Sequence, residues 1–117
     1  MLYKFENLEK VHQEKPRGGE GSQDLHCAFK MGEAPKNTAF QLAAYQILAP
    51  KSAIGYHEHT DNSDMYFVIS GKGIYTDENK KEIPIGPGDI ALCPVGQSHA
   101  LANPNNEPLI FHAVMAK

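Results

Sequence analysis

The sequence predicts an all-β domain, an antiparallel sandwich or barrel made of many short strands. Three observations lead there. Eight prolines and ten glycines recur along the 117 residues, which leaves little room for a helix much beyond about a dozen residues. Between them lie short runs rich in aromatic and β-branched side chains, of which Met65-Tyr66-Phe67-Val68-Ile69 is the clearest. Clusters of Gly, Pro, Asn, Asp and Ser punctuate those runs every several residues.

Taken in order, Phe40 to Leu48 is the first firm strand and closes at Ala49-Pro50. Ala53 to His59 follows, and the polar Thr60-Asp61-Asn62-Ser63 reads as a turn. Met65 to Ile69 runs up to Gly71-Lys72-Gly73, and Ile74 to Thr76 is expected to pair back onto it across that glycine turn. Asp77-Glu78-Asn79 reads as the next hairpin loop, and Lys81 to Ile85 leads into the tight turn Gly86-Pro87-Gly88-Asp89. Ile90 to Cys93, His99 to Asn103 and Leu109 to Met115 complete the pattern, with Pro94-Val95-Gly96 turning the chain between the first two.

Residues 1–35 are less regular. An edge strand is expected at Leu25 to Met31, and Pro16-Arg17-Gly18-Gly19-Glu20-Gly21 reads as a flexible surface turn. That glycine run is not a phosphate-binding loop, because no Gly-Lys-Ser/Thr follows and no helical periodicity opens after it. Neither an internal repeat nor a second domain is evident, so residues 1–117 are read as one domain.

Composition narrows the class. Hydrophobic residues make up 41% and charged residues 21%, ordinary for a soluble globular protein and enough to bury a core without metal or disulfide staples. A formal net charge of −3, with scattered basic residues, gives no electrostatic footprint for nucleic acid or an acidic membrane. Two cysteines, Cys27 and Cys93, do not make a disulfide framework. No apolar run approaches the roughly 20 residues of a membrane span, and the N-terminus lacks the apolar stretch of a secretory signal. The expectation is a soluble cytoplasmic protein with reduced thiols.

The chemistry concentrates in Gly55-Tyr56-His57-Glu58-His59 and in the segment from Gly88 to Asn103. Side chains alternate along a strand, so His57 and His59 share a face and Glu58 points to the other. Asp64, beyond the short turn, can come back toward the same point. In the second segment Pro94 and Gly96 shape a turn and His99 opens a strand. Imidazole suits zinc, copper, iron or nickel, and a carboxylate extends the choice to manganese. Three histidines and one acid leave coordination positions free for water or substrate, the layout of a catalytic metal rather than a structural one.

These residues resemble the motifs of the cupin superfamily. The first cupin motif is His-x-His, then Glu after three or four residues, then Gly; here it reads His57-x-His59-x4-Asp64-x6-Gly71. The second, Gly-x5-Pro-x-Gly-x2-His-x3-Asn, is matched at Gly88, Pro94, Gly96, His99 and Asn103. The first motif departs from the pattern twice: Gly55 lies closer to the first histidine than the family's early glycine, and Asp64 stands where Glu is usual. The resemblance covers residues 39–117 and leaves 1–38 as an N-terminal extension with edge strands. It implies a small single-domain microbial cupin of the conserved-barrel (cupin 2) type, with a double-stranded β-helix or jelly-roll barrel. It also implies one divalent metal ion per chain on His57, His59, Asp64 and His99, whether zinc, iron, manganese, nickel or copper.

Fold does not dictate function here. One expectation is a metal-dependent enzyme acting on a small oxygen-rich substrate, a sugar derivative or polyketide-like compound, by isomerase, lyase or dioxygenase chemistry. The other is a non-catalytic metal- or ligand-binding or sensing module. No general base stands beside the ligands in sequence. Asn103 is expected to stabilise a turn, Cys93 to be a buried thiol, and His112 to lie opposite Phe111 without a ligand role. Tyr45, Tyr56, Tyr66 and Phe67 are expected to pack the barrel. A small-molecule ligand is the expected partner, and a homodimer is expected because apolar edge strands are commonly covered by a twin, with the N-terminal segment as the element exchanged.

Overall fold

A computed structural model describes residues 1–117. Ten strands form two sheets, and every pairing is antiparallel. The larger sheet contains β1 (Glu9–Glu14), β2 (Ser22–Phe29), β3 (Phe40–Leu48), β5 (Ser63–Ser70), β8 (Ile90–Cys93) and β10 (Leu109–Ala116), in the order β1-β2-β3-β10-β5-β8. The smaller contains β4 (Ser52–Glu58), β6 (Gly73–Thr76), β7 (Glu82–Ile85) and β9 (Ser98–Asn103), in the order β4-β9-β6-β7. Phe5–Asn7 and Pro16–Gly18 are single 3-10 turns. Cupin-type jelly-roll architecture, expected from the motifs, is what the chain adopts.

The core lies between the sheets. Leu42, Ala44 and Leu48 alternate inward along β3 and meet Val68, Leu109 and Phe111 of the same sheet and Ile54, Tyr75 and Leu101 of the other. Phe111 is fully buried, and truncating such a ring to alanine costs about 3–5 kcal/mol. Asn103 ties the barrel together beneath this layer. Its buried amide donates to the carbonyls of Leu48, Ala49 and Glu107 at 2.8–3.1 Å, and its Oδ1 accepts from the Asn105 amide. It therefore has the turn-stabilising role expected of it.

Three local expectations are corrected. Ile74–Thr76 does not fold back on Met65–Ile69; β6 pairs with β7 and β9 in the opposite sheet. Gly71 makes the crossing possible: its φ is +85°, and a Cβ there would meet the Pro108 carbonyl at 2.4 Å. Leu25–Met31 is not an edge strand, because the polar β1 covers β2, and Leu25 and Cys27 enter the core. Tyr56 and Phe67 are exposed on the outside, and only Tyr66 of the four packing candidates is buried.

The Pro16–Gly21 segment is a strap packed on β4, not a free surface turn. Glu20 and Ala53 exchange both backbone hydrogen bonds, at 3.0 and 2.9 Å, and Pro16 is buried. Two glycines permit the approach: a Cβ on Gly19 would sit 2.0 Å from the Ala53 carbonyl, and one on Gly55 would sit 2.3 Å from that of Arg17. The strap thereby joins the N-terminal strands to the small sheet and roofs one end of the barrel.

Candidate metal centre

Strand β4 would not aim its histidines inward if it were regular. Ile54 pairs with Leu101 and His57 with His99, three residues on one strand against two on the other. This β-bulge over Gly55-Tyr56 switches the inward face from Ser52 and Ile54 to His57 and His59. Glu58 stays outside, as the alternation requires. His99 comes from β9, directly across from His57, and Asp64 from the start of β5 on the opposite sheet.

The four side chains converge. Each offers one ligand atom, and these atoms lie within 4.8 Å of one another. His59 Nε2 is 3.1 Å from His57 Nε2 and 3.0 Å from His99 Nε2; Asp64 Oδ2 is 3.3 Å from His59 Nε2 and 3.4 Å from His99 Nε2. Edges of this length are those of neighbouring ligands around one ion at about 2.1 Å. His99 and Asp64 are only 1% and 5% exposed, so the group is held by the core rather than by solvent-facing loops.

Outer hydrogen bonds settle which nitrogens face inward. His57 Nδ1 lies 2.7 Å from the Gly55 carbonyl and His59 Nδ1 2.7 Å from Asn62 Oδ1, both pure acceptors, so each Nδ1 carries a proton. In the neutral rings both Nε2 lone pairs then face each other, which is favourable only with a cation, a proton or a metal, between them. His99 Nδ1 is 3.0 Å from the Tyr75 hydroxyl; for His99 Nε2 to ligate, the Tyr75 oxygen accepts the Nδ1 proton. Asp64 Oδ1 is buried without a hydrogen-bond partner, a second sign of a charge the side chains alone do not satisfy. The residues fit a divalent ion.

Burial lowers the His57 ring to about 4, against a weaker upward pull from the Gly55 carbonyl. A hydrogen bond donated by the protonated ring to the Asp64 carboxylate raises His59, and burial only partly opposes it. Burial pushes the Asp64 carboxyl up, but His59 and His99 outweigh it and the net direction is down. Desolvation raises Tyr75, so its hydroxyl stays protonated, and lifts the Cys93 thiol to about 11, in keeping with an inert buried thiol.

The centre opens on a cavity of about 480 Å³. Leu25, Leu42, Ile54 and Met115 supply an apolar wall, and Arg17 lines the same space from the strap. Lys15 and Arg17 hold φ of 47° and 53°, a left-handed conformation that costs non-glycine residues energy and recurs at ligand-binding sites. Tyr66 stacks on His99 with ring centres 5.0 Å apart.

All four sequence-predicted site residues are thus brought together. His112 is not; it lies on the outer face against Tyr45. Sequence reasoning missed Asn62, Tyr75 and Arg17. Asn62, three residues after His59 in a turn, carried a local signal, whereas Tyr75 and Arg17 are reached only through the fold.

Residues 44–115 match the family described as Cupin domain (Cupin_2). The chain is 37% identical over 100 residues to a protein of Thermotoga maritima named oxalate-binding protein, covering 85% of this chain and 79% of that one. It is 38% identical over 63 residues to a glucose-6-phosphate isomerase of Thermococcus kodakarensis, covering 50% of this chain and 33% of the isomerase. A solved structure described as a predicted oxalate decarboxylase from Thermotoga maritima superposes with a TM-score of 0.86 at 28% identity, over 99% of this chain and 98% of that one. With fold, motif residues and family match in agreement over most of its length, this chain belongs to the Cupin_2 family of cupin domains.

Proposed function

We propose that the chain holds one divalent metal ion on His57, His59, Asp64 and His99 and uses it to bind and activate a small, oxygen-rich, carboxylate-bearing substrate. The observation that carries this reading is the shared cavity: four converged ligand atoms and two cationic residues of the strap, Lys15 and Arg17, line the same space. When bound, the ion supplies Lewis acidity toward ligand oxygens. Arg17 pairs with a carboxylate oxygen and sets its approach. Tyr66 keeps the His99 ring in place, and the apolar wall excludes water and strengthens both charge interactions.

A carboxylate is favoured over a neutral sugar by Arg17 and by the name of the Thermotoga relative, oxalate-binding protein. That name also supports a second reading, binding without turnover. Elemental analysis of untagged protein identifies the resident ion. Incubating the metal-loaded protein with oxalate, while following formate and carbon dioxide, separates the two readings. Product formation supports an enzyme; saturable binding without product supports a binding module; no binding of oxalate or of any small hydroxy acid removes the proposal.

A further inference from the structure

The cavity carries its fixed positive charge on one short element. Apart from His57 and His59, the basic residues that line it are Lys15 and Arg17, both on the strap between β1 and β2. They flank the buried Pro16 and hold φ of 47° and 53°. The Lys15 amide donates to the Gly21 carbonyl at 2.8 Å and the Gly18 amide to the Lys15 carbonyl at 2.9 Å, so the strap is a closed turn with a shape of its own. Residues 15–21 also lie outside the 44–115 that match the family, so the family match does not bring these cations with it.

What seats the strap is the absence of side chains at two points. Besides the backbone pair between Glu20 and Ala53, it rests on β4 through Gly19, where a Cβ would collide with the Ala53 carbonyl, and through Gly55, where a Cβ would collide with the Arg17 carbonyl. Gly55 does not hold a positive φ, so it supplies room rather than dihedral freedom. The same residue faces the metal centre, because its carbonyl lies 2.7 Å from His57 Nδ1 and accepts that proton. Gly55 thus touches the strap on one side and a ligand on the other. Gly19 meets the backbone of Ala53 and Gly55.

We infer that Gly19 and Gly55 are positioning residues for anion recognition: bare of side chains, they seat the strap so that Lys15 and Arg17 face the ligand of the metal centre. The strap is then a selectivity element distinct from metal binding. This rests on the reading that a carboxylate ligand is held at that centre beside Arg17. A methyl group at either glycine lifts the strap from β4, and both cations withdraw together because one turn carries them. None of His57, His59, Asp64 and His99 lies on the strap, so the ion keeps its ligands. The attraction that is lost is the one between strap and anion, which weakens with distance and with the water that enters.

The test is a double-mutant cycle read by calorimetric titration of manganese-loaded protein with oxalate, with manganese affinity measured separately by chelator competition. Arg17→Gln should weaken oxalate at least tenfold. Gly19→Ala should do the same while manganese affinity stays within threefold. Adding Arg17→Gln to Gly19→Ala should cost no more than a further twofold, because the displaced guanidinium no longer reaches the ligand. The same cycle run on Gly55→Ala should repeat the oxalate result from the other side of the contact. Gly86→Ala is the control, since a Cβ there meets Lys72 Cγ at 3.9 Å, and it should bind oxalate as the wild type does. A protein that is merely destabilised would show additive losses, with Arg17→Gln still costing tenfold in both glycine variants, and that result overturns the inference. Wild-type oxalate affinity in Arg17→Gln or in both glycine variants overturns it too, as does loss of manganese from Gly19→Ala. Failure of the wild type to bind either oxalate or glycolate instead removes the metal-centred carboxylate reading, and the role of the strap falls with it.

Discussion

Asn62 Oδ1 accepts the Nδ1 proton of His59 at 2.7 Å and so turns the Nε2 lone pair of that ring toward His57, His99 and Asp64. The amide is itself oriented, because its nitrogen donates to Gln41 Oε1 at 2.9 Å. Asn62→Leu should lower metal affinity about 10- to 100-fold while the fold persists, as loss of a partner that orients a ligand commonly does. Competition against a chromophoric chelator measures this. Wild-type affinity in the variant would show that ring packing alone holds His59.

Asp64 is expected to be a direct ligand, although one carbon shorter than the glutamate usual in the family. Asp64→Asn should weaken metal binding well beyond the effect of Glu58→Gln, whose side chain points outward. Asp64→Glu should retain the ion. Equal affinities for wild type and Asp64→Asn would mean that three histidines and water complete the site.

Metal should stabilise the fold without being needed for it. An ion bound only by the folded state adds about 2.7 kcal/mol at a hundredfold excess over Kd, which for a domain of this size raises Tm by roughly 10 °C. His57→Ala should remain folded and lose that response, whereas His12→Ala should keep it. His12 stands on β1, bonded to Asp24 at 2.6 Å and away from the centre. A His57→Ala melting curve that still shifts as the wild type does would remove the assignment.

Acid should erase the same response. His59 is held above its ordinary value of 6.5, mainly by Asp64, so without metal its proton stabilises the fold below 6.5, and that contribution is lost as pH rises through its folded value. A metal has to displace this proton, while His57, lowered to about 4, remains neutral down to that range. The metal-induced rise in Tm is therefore expected to be large at pH 8 and small at pH 5.5. Equal rises at the two values would contradict ligation through His59.

Two copies are expected to associate through the outer face of β5 and β8; the N-terminal segment, expected from the sequence to be the element exchanged, pairs within its own chain as β1 on β2. Phe67 pairs with Ile90 and Met65 with Leu92 on that outer face, and Phe67, Ile90 and Leu92 are exposed on a sheet whose edge, β8, is uncovered. Light scattering should give twice the monomer mass, and Ile90→Lys with Leu92→Lys should give the monomer. A monomeric wild type at micromolar concentration would end this expectation.

Much of the centre was legible in the chain itself. The alternation that puts His57 and His59 on one face and Glu58 on the other acts between neighbouring residues, and the turn chemistry of Pro94 and Gly96 before His99 is equally local. The all-β class followed in the same way from Gly and Pro spacing and from runs such as Met65–Ile69. What could not be read depends on pairing between distant segments. The bulge over Gly55-Tyr56 is defined only against β9, and without it the inward parity of Ile54 would carry Tyr56 and Glu58 inside. β1, read as Glu-Lys-Val-His-Gln-Glu, has too few apolar residues to announce a strand, yet β2 recruits it. Tyr75 finds His99 because β6 crosses to the other sheet, and Arg17 reaches the cavity because Gly19 and Gly55 let the strap lie against β4. Sequence periodicity thus determined which face each strand offers, since that is set by backbone geometry one residue at a time. Tertiary structure decided which strands meet, and hence what orients the ligands and lines the cavity, since those contacts form only when segments far apart in the chain bury a common core.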